Sequence, residues 1–193
     1  MKIMIVDRNR TVLDQLSDGL QHSQYVTGFH HGDFNELKAD AIVSPANSFG
    51  YMDGGIDLAY RNLWPTIQDQ VQTEIKKLPF GELLVGQAIS VPIKQESNFR
   101  MLISAPTMRI PQRIPVANIY LATRAAVHLA KQTGIETMVF PGMGTGAGAV
   151  EPVQAGWAMH KGIKDGMVEN YKPTLGPNWQ GVAKIHTLLG TYM

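Results

Sequence analysis

The segment ADAIVSPANSFGYMDGGIDLAY, residues 39–60, limits the possible folds more than any other part of the chain. Its apolar start predicts a short strand, and a helix is predicted from about Ile56. Gly50, Gly54 and Gly55 lie between them, although ordering a glycine costs more backbone entropy than ordering any other residue. Three glycines within six positions therefore indicate that the backbone turns tightly there, or that another group approaches it closely.

Short apolar runs alternate with helical patterns along the rest of the chain. The predicted strands lie at residues 2–6, 25–34, 40–44, 86–93, 99–106 and 136–140. The predicted helices cover residues 9–21 (capped by Asn9 or Thr11), a segment from about Ile56, residues 116–134, and a segment from about Glu151. This alternation predicts an α/β domain with a mixed or mostly parallel sheet.

A second glycine-rich loop, PGMGTGAGAV at residues 141–150, also follows a predicted strand and opens a predicted helix. Backbone N–H groups at a helix start bind anions, and glycine removes the side chains that would block them. Ligands of such sheets bind beyond the carboxyl ends of the strands, where both loops fall. Two such loops favour a ligand with more than one phosphate group. Each loop alone is equally well explained as a tight turn between a strand and a helix.

Two common nucleotide-binding folds fit less well. Gly142, Gly144 and Ala147 satisfy the loose pattern G-x-G-x-x-[GA], but that pattern normally follows the first strand of a dinucleotide-binding fold. That pattern also requires an acidic residue about 20 positions later, and only Glu169 could fill this role. A dehydrogenase is therefore the less favoured hypothesis. The P-loop pattern G-x-x-x-x-G-K-[ST] is absent, which excludes a P-loop NTPase.

Length and composition exclude several further classes. The chain of 193 residues suits one domain, with residues 172–193 as an extension in which a final strand is one possibility. A net charge of +1 gives no reason to expect binding to nucleic acid. No apolar run approaches membrane-spanning length and no secretory signal pattern is present, so we expect a cytoplasmic protein. Without cysteine, a thiolate nucleophile is excluded.

Three motifs, in the same order along the chain, resemble those of the macro domain family. The segment DAIVSPANSFGYMDGGIDLAY resembles the first ligand loop of that family, D-A-I-V-N-A-A-N followed by G-G-G-V-D. Upstream, GDFNELKADAIV resembles the G-D-I-T leader, and downstream VFPGMGTGAGAV resembles the second ligand loop. The segment GELLVGQA resembles a further strand. The resemblance spans roughly residues 27–165 and implies a three-layer α/β/α fold with a mixed, mostly parallel central sheet.

The resemblance also implies a role for each matched residue. Asp33 matches the residue that recognises adenine, and Asn47 matches the one that holds the distal ribose of ADP-ribose. Asp57 matches the acid that orients or activates water in hydrolytic members. These three residues also have local explanations as a turn residue, the cap of a turn and a first-turn acid. The other implied ligand contacts are Phe34, Ala46, Gly54, Gly55, Ile56, Gly142, Gly144, Thr145, Gly146, Ala147 and Gly148.

Four positions depart from the family pattern. Ser44 and Pro45 replace Asn and Ala, Asp53 replaces a glycine, and Gly148 replaces the aromatic residue of the second loop. We expect a tyrosine at position 148 to cover the distal ribose and raise affinity, unless Gly148 has a positive φ. Tyr51 and Phe49 are alternative covers for that sugar.

The expected function is ADP-ribose binding and hydrolysis of an ADP-ribosyl linkage, with Asn47 and Asp57 as catalytic residues. The substrate would be a mono-ADP-ribosyl protein, an O-acyl-ADP-ribose or ADP-ribose 1″-phosphate. The alternatives are a non-catalytic reader of ADP-ribose and a structural protein that keeps the fold without a ligand. No cofactor is expected. No metal is expected either, since the six histidines are scattered and the adjacent His30 and His31 point to opposite faces of a predicted strand. The tryptophans are expected to have packing roles.

Overall fold

The computed structural model describes residues 1–168, which contain six strands and five α-helices. The strands are β1 Lys2–Asp7, β2 Val26–His31, β3 Ala39–Ser44, β4 Ile89–Pro92, β5 Phe99–Ser104 and β6 Thr137–Pro141. The helices are α1 Arg10–Leu20, α2 Gly55–Leu63, α3 Ile67–Lys76, α4 Val116–Gln132 and α5 Pro152–Gly166. Two short 3₁₀ turns cover Phe34–Glu36 and Pro79–Gly81. The extension at residues 172–193 and Glu169 lie outside the described residues.

The strands form one sheet in the order β2-β1-β6-β3-β5-β4. All neighbouring strands are parallel except β4, which is antiparallel to β5. The predicted mixed, mostly parallel sheet is therefore confirmed. Because parallel strands share a direction, the chain segments that follow β1, β3 and β6 meet at one edge of the sheet.

Helices cover both faces of the sheet. Along β1, Ile3 and Ile5 pack with residues of α1, α4 and α5, whereas Val6 packs on the opposite face with residues of α2 and α3. This alternation follows from the two-residue period of a strand. The three-layer α/β/α arrangement expected from the resemblance is confirmed.

The aromatic residues divide between core and surface. Trp64 is fully buried and stacks on Tyr60, with Phe34 and Phe99 against it. Its predicted packing role is confirmed. Trp157, in contrast, is 41% exposed on α5.

The helix predicted from about Ile56 is interrupted in a way that its pattern did not predict. It ends at Leu63, and α3 begins only at Ile67, because Pro65 lies between them. A proline disfavours the helical conformation of the residue before it, and Trp64 has φ −123° and ψ 81°. The break allows α3 to pack against the loop that follows β3. At that contact Gly50 has φ +70° and has no room for a side chain beside Val71 and Ile75. Gly50 is therefore required by packing.

The helix pair α1 and α5 packs with almost no space between the two backbones. An ideal Cβ on Gly156 would lie 2.6 Å from the carbonyl oxygen of Leu16 and 3.0 Å from the Cα of Gly19. These neighbours are backbone atoms, so they cannot move aside without shifting a helix.

Gly156→Ala is therefore expected to lower the free energy of unfolding by about 1–3 kcal/mol, the usual cost of overpacking. Chemical denaturation measures this change. Gly146→Ala serves as the control, because a Cβ at that position meets nothing within 4 Å. Equal stability of both variants would contradict the tight helix contact.

No helix within residues 1–168 is long and apolar enough to cross a membrane.

Candidate functional site

A cavity of about 450 Å³ lies over the edge of the sheet where β1, β3 and β6 end. The chain segments after these strands line it, together with residues that follow β5. Every predicted ligand contact except Asp33 lines this cavity: Phe34, Ala46, Asn47, Gly54, Gly55, Ile56, Asp57, Gly142, Gly144, Thr145, Gly146, Ala147 and Gly148. The structure thus brings the two glycine-rich loops together.

The first loop presents an uncapped helix start to the cavity. Gly54 is the N-cap of α2, and no side chain caps that helix. Gly55 has φ +55°, a conformation that favours glycine. A Cβ on either residue would meet nothing within 4 Å, so both face open space. The first N–H groups of α2 are thus left for an anionic group.

The second loop is held by bonds within its own backbone. The amide of Ala149 donates to Gly146, and that of Val150 donates to Gly144. Gly144 has φ +72°, and a Cβ there would lie 2.8 Å from the side chain of Ile119. Gly146 instead faces open space. The loop therefore needs glycine at position 144 for its own shape, while position 146 leaves room for a ligand.

Gly148 corrects one expectation drawn from the sequence. Its φ is not positive, which was the risk foreseen for a tyrosine there. However, an ideal Cβ would lie 2.6 Å from the carbonyl oxygen of Gly144 and 3.0 Å from the side chain of Ile114. A tyrosine at this position would push the loop apart, so the expected gain in affinity is wrong. Tyr51, which is 57% exposed and lines the cavity, is the better candidate to cover a sugar.

Asn47 is 8% exposed, and its side chain closes the first loop. Its Oδ1 accepts hydrogen bonds from the amides of Phe49 and Tyr51, and its Nδ2 donates to the carbonyl of Tyr51 at 2.7 Å. The local explanation as a turn cap is thus observed. One N–H of the amide remains for a ligand, and the contact with a ribose stays a prediction.

Asp57 is the buried acid of the site. Its side chain lies in the first turn of α2, is 8% exposed and lines the cavity. The hydroxyl of Ser44, at the end of β3, donates to its Oδ1 at 2.7 Å. Burial raises the pKa of Asp57 to about 7, and the hydrogen bond from Ser44 offsets part of this rise. Asp57 can therefore gain or lose a proton near neutral pH.

Asp33 lies beside the cavity but does not line it. Its Oδ1 accepts from the amide of Asn35 at 2.9 Å, and its Oδ2 accepts from the guanidinium of Arg8. Partial burial works to raise the pKa of Asp33, but the hydrogen bonds from Asn35 and Arg8 outweigh it and hold the pKa below its usual value. Asp33 also caps the 3₁₀ turn at Phe34–Glu36. Contact with adenine stays a prediction.

Sequence reasoning missed several lining residues. Asp7 is the last residue of β1 and Arg8 follows it, and both line the cavity, as do Thr107 and Met108 after β5. Their position at or just after the ends of strands that point to the ligand edge was a usable signal. Asp53, noted only as a departure from the family pattern, is exposed and also lines the cavity.

The charges of the lining are unevenly distributed. Asp7, Asp53 and Asp57 are acidic, and Arg8 is the one arginine or lysine that contributes to the lining from residues 1–168. Within the same residues, no group of three or more His, Cys, Asp or Glu side chains is placed to hold a metal ion. Phosphate groups in this cavity would therefore depend mainly on backbone N–H groups.

Comparisons with known proteins agree with this architecture. A family model described as Macro domain matches residues 43–159. An uncharacterised protein of Aeropyrum pernix is 35% identical over 120 residues, which cover 62% of this chain and 60% of that protein. An uncharacterised protein of Aquifex aeolicus is 34% identical over 135 residues, covering 69% of this chain and 78% of that protein. The chain thus spans 60% of the length of the first of these relatives.

Solved structures show the same fold. The macrodomain of Mycobacterium tuberculosis DarG matches with a TM-score of 0.62 and 20% identity, over 70% of this chain and 88% of that one. A point mutant of the Oceanobacillus iheyensis macrodomain with ADPR matches with a TM-score of 0.58 and 19% identity, over 72% and 77% of the two chains. At these identities the likeness concerns the fold.

Proposed function

Because the chain belongs to the macro domain family, we propose that it binds ADP-ribose in the cavity between its glycine-rich loops and hydrolyses an ADP-ribosyl linkage there. The observation that carries the proposal is the buried carboxyl of Asp57 at this cavity, with its pKa raised to about 7. The structures of an O. iheyensis macrodomain with ADPR and of Thermosipho africanus DarTG with ADP-ribose support the choice of ligand.

The shape of the cavity suggests how such a ligand would lie. The loops after β3 and β6 occupy its middle, since these strands are neighbours in the sheet. Their free N–H groups suit a diphosphate. The end beside β1 and β2 contains Phe34 and Val6, which suit a purine base. The part of the cavity lined by Asn47 and Tyr51 suits the distal ribose.

Asp57 would then act as a general base. A base is most effective when its pKa is near the working pH, and burial gives Asp57 such a pKa. In its ionised form it would accept a proton from a water molecule that attacks the anomeric carbon of the distal ribose. The bond from that carbon to the carrier group breaks, the proton taken up by Asp57 then passes to the carrier group, and free ADP-ribose and the protonated carrier group leave. The hydroxyl of Ser44 would hold the carboxylate in place.

One observation favours the non-catalytic reader instead. The amide of Asn47, expected to act on the ribose, is largely taken up by hydrogen bonds within its own loop. An amide that already bonds within its own loop has less to offer a reacting sugar, whereas a loop that is stiff without a ligand still suits binding.

The proposal is tested by incubating the protein separately with a mono-ADP-ribosylated protein, an O-acyl-ADP-ribose and ADP-ribose 1″-phosphate. Free ADP-ribose is then measured over time. Release from at least one substrate is expected. Binding of ADP-ribose without release from any substrate would support the reader. If the protein neither binds ADP-ribose nor releases it from a substrate, both forms of the proposal are contradicted.

A further inference from the structure

The segment just before α2 presents an aromatic ring and a carboxylate to the cavity. Met52 is buried, and its amide donates to Oε1 of Gln68 at 2.8 Å, which anchors the segment to the core. The residues on either side of it, Tyr51 and Asp53, are exposed and line the cavity. The backbone of Tyr51 is also fixed, because its amide and its carbonyl both form hydrogen bonds with the side chain of Asn47.

The charge of this part of the cavity is negative. Asp53 forms no ion pair with any other residue within 1–168. Asp57 adds a second carboxyl in the first turn of α2. Arg8, the one arginine or lysine that lines the cavity from the described residues, follows β1 and is bound to Asp33. Since β6 lies between β1 and β3 in the sheet, Arg8 belongs to the other end of the cavity.

The carrier group of a substrate would lie beside these acids. A general base acts directly or through one water molecule, so Asp57 would lie within one water molecule of the anomeric carbon. Asp53 directly precedes Gly54, the N-cap of the same helix, so both carboxyls lie at one helix start. The group attached to the anomeric carbon must therefore pass close to Asp53, and its charge affects how well it is accepted.

We propose that Asp53 and Tyr51 select a cationic carrier group, so that the preferred substrate carries its ADP-ribosyl group on the guanidinium of an arginine. This inference rests on the proposed function and names its substrate class. A guanidinium keeps its positive charge when one of its nitrogens is linked to the sugar. Its planar N–H groups can pair with a carboxylate, and its face can stack on a tyrosine ring. A 1″-phosphate would instead add negative charge beside two carboxyls.

Hydrolysis of such a substrate would break the bond between the anomeric carbon and a guanidinium nitrogen. The electron pair of that bond stays on the nitrogen, so the group leaves as a neutral guanidine. The guanidine then takes up the proton that Asp57 accepted from the attacking water. The products are free ADP-ribose and a positively charged arginine side chain.

The test compares the dissociation constants of ADP-ribosyl-arginine, ADP-ribose and ADP-ribose 1″-phosphate, which differ in the charge of the group at the anomeric carbon. Calorimetry uses Asp57→Asn, which should bind these compounds without hydrolysing them. The arginine compound is expected to bind most tightly and the 1″-phosphate least tightly. Adding Asp53→Asn should lower the ratio of these two constants by about three- to tenfold, because one exposed charge acts on the two compounds in opposite directions. Added salt should lower the ratio as well.

Asp69→Asn, added to Asp57→Asn, is the matched control. It also removes an exposed acid at a helix start, but Asp69 does not line the cavity, so the ratio should not change. Tyr51→Leu should lower the ratio, whereas Tyr51→Phe keeps the ring and should preserve it.

Two results would overturn the inference and leave the proposed function intact. One is equal binding of ADP-ribosyl-arginine and the 1″-phosphate by Asp57→Asn, and the other is a ratio that Asp53→Asn leaves unchanged. If the parent protein does not bind ADP-ribose either, the proposed function fails as well.

Discussion

Asp57→Asn is expected to lower kcat for release of ADP-ribose by about 100- to 10,000-fold, the usual contribution of a general base. The dissociation constant of ADP-ribose should change by less than about threefold, because a base that activates water acts mainly in the transition state. Asparagine keeps the size of the side chain and can still accept the hydrogen bond from Ser44. Steady-state kinetics and calorimetry on the same preparation separate the two effects.

Asp69→Asn is the control for this experiment. Asp69 is an exposed acid in the first turn of α3, as Asp57 is a buried one in the first turn of α2. Both changes remove a charge that favours a helix start. Only the change at Asp57 should affect kcat. Unchanged turnover in Asp57→Asn would remove this residue from the mechanism and leave Asn47 and the substrate's own groups as candidates.

The same buried carboxyl is expected to make the protein less stable as the pH rises. The unfolded chain ionises Asp57 at the ordinary pKa of 3.8, whereas the folded protein does so only at about 7. Between these values the folded state binds more protons, so the free energy of unfolding falls as the pH rises from about 4 to about 7. The difference between these two pKa values corresponds to about 4 kcal/mol of stability, and the loss is complete above pH 7.

Asp57→Asn removes this dependence. The gain in its free energy of unfolding over the parent protein is expected to be about 4 kcal/mol larger at pH 8 than at pH 4. Urea denaturation of both proteins at the two pH values measures this difference. Asp69→Asn should show no such change, because Asp69 is exposed. An equal stability difference at both pH values would mean that Asp57 ionises at an ordinary pKa in the folded protein.

The two expectations have one physical cause. Burial beside the cavity gives Asp57 a pKa suited to proton transfer near neutral pH, and it makes the ionised form costly to keep in the folded protein. A variant that loses turnover and gains stability would show both consequences at once.

The strands and the two loops could be predicted because their signals are local. Apolar runs set the strands, and Asn9 caps α1 through hydrogen bonds to the amides of Thr11 and Val12, as one of the two predicted caps. Pro152 begins α5 at the predicted position. The interruption at Pro65 was equally local, but the sequence prediction gave only the start of this helix, about Ile56, and no end.

The unpredicted features depend on contacts between distant residues. The pair of Arg8 and Asp33 joins two segments 25 positions apart, and the room at Gly148 depends on Gly144 and Ile114. Ser44 was noted only as a departure from the family pattern, and its hydrogen bond to Asp57 became visible once β3 and α2 were placed together. Motifs identified the cavity, whereas its charges and free space required the packed structure.

Isothermal titration calorimetry with ADP-ribose, NAD and AMP tests the central claim most directly. ADP-ribose is expected to bind more tightly than AMP, which lacks the second phosphate and the distal ribose. It should also bind more tightly than NAD, whose nicotinamide would extend from the distal ribose into the space beside Asn47 and Tyr51. Equal affinities for NAD and ADP-ribose would favour the dehydrogenase hypothesis, and no detectable binding of ADP-ribose would contradict the proposed function.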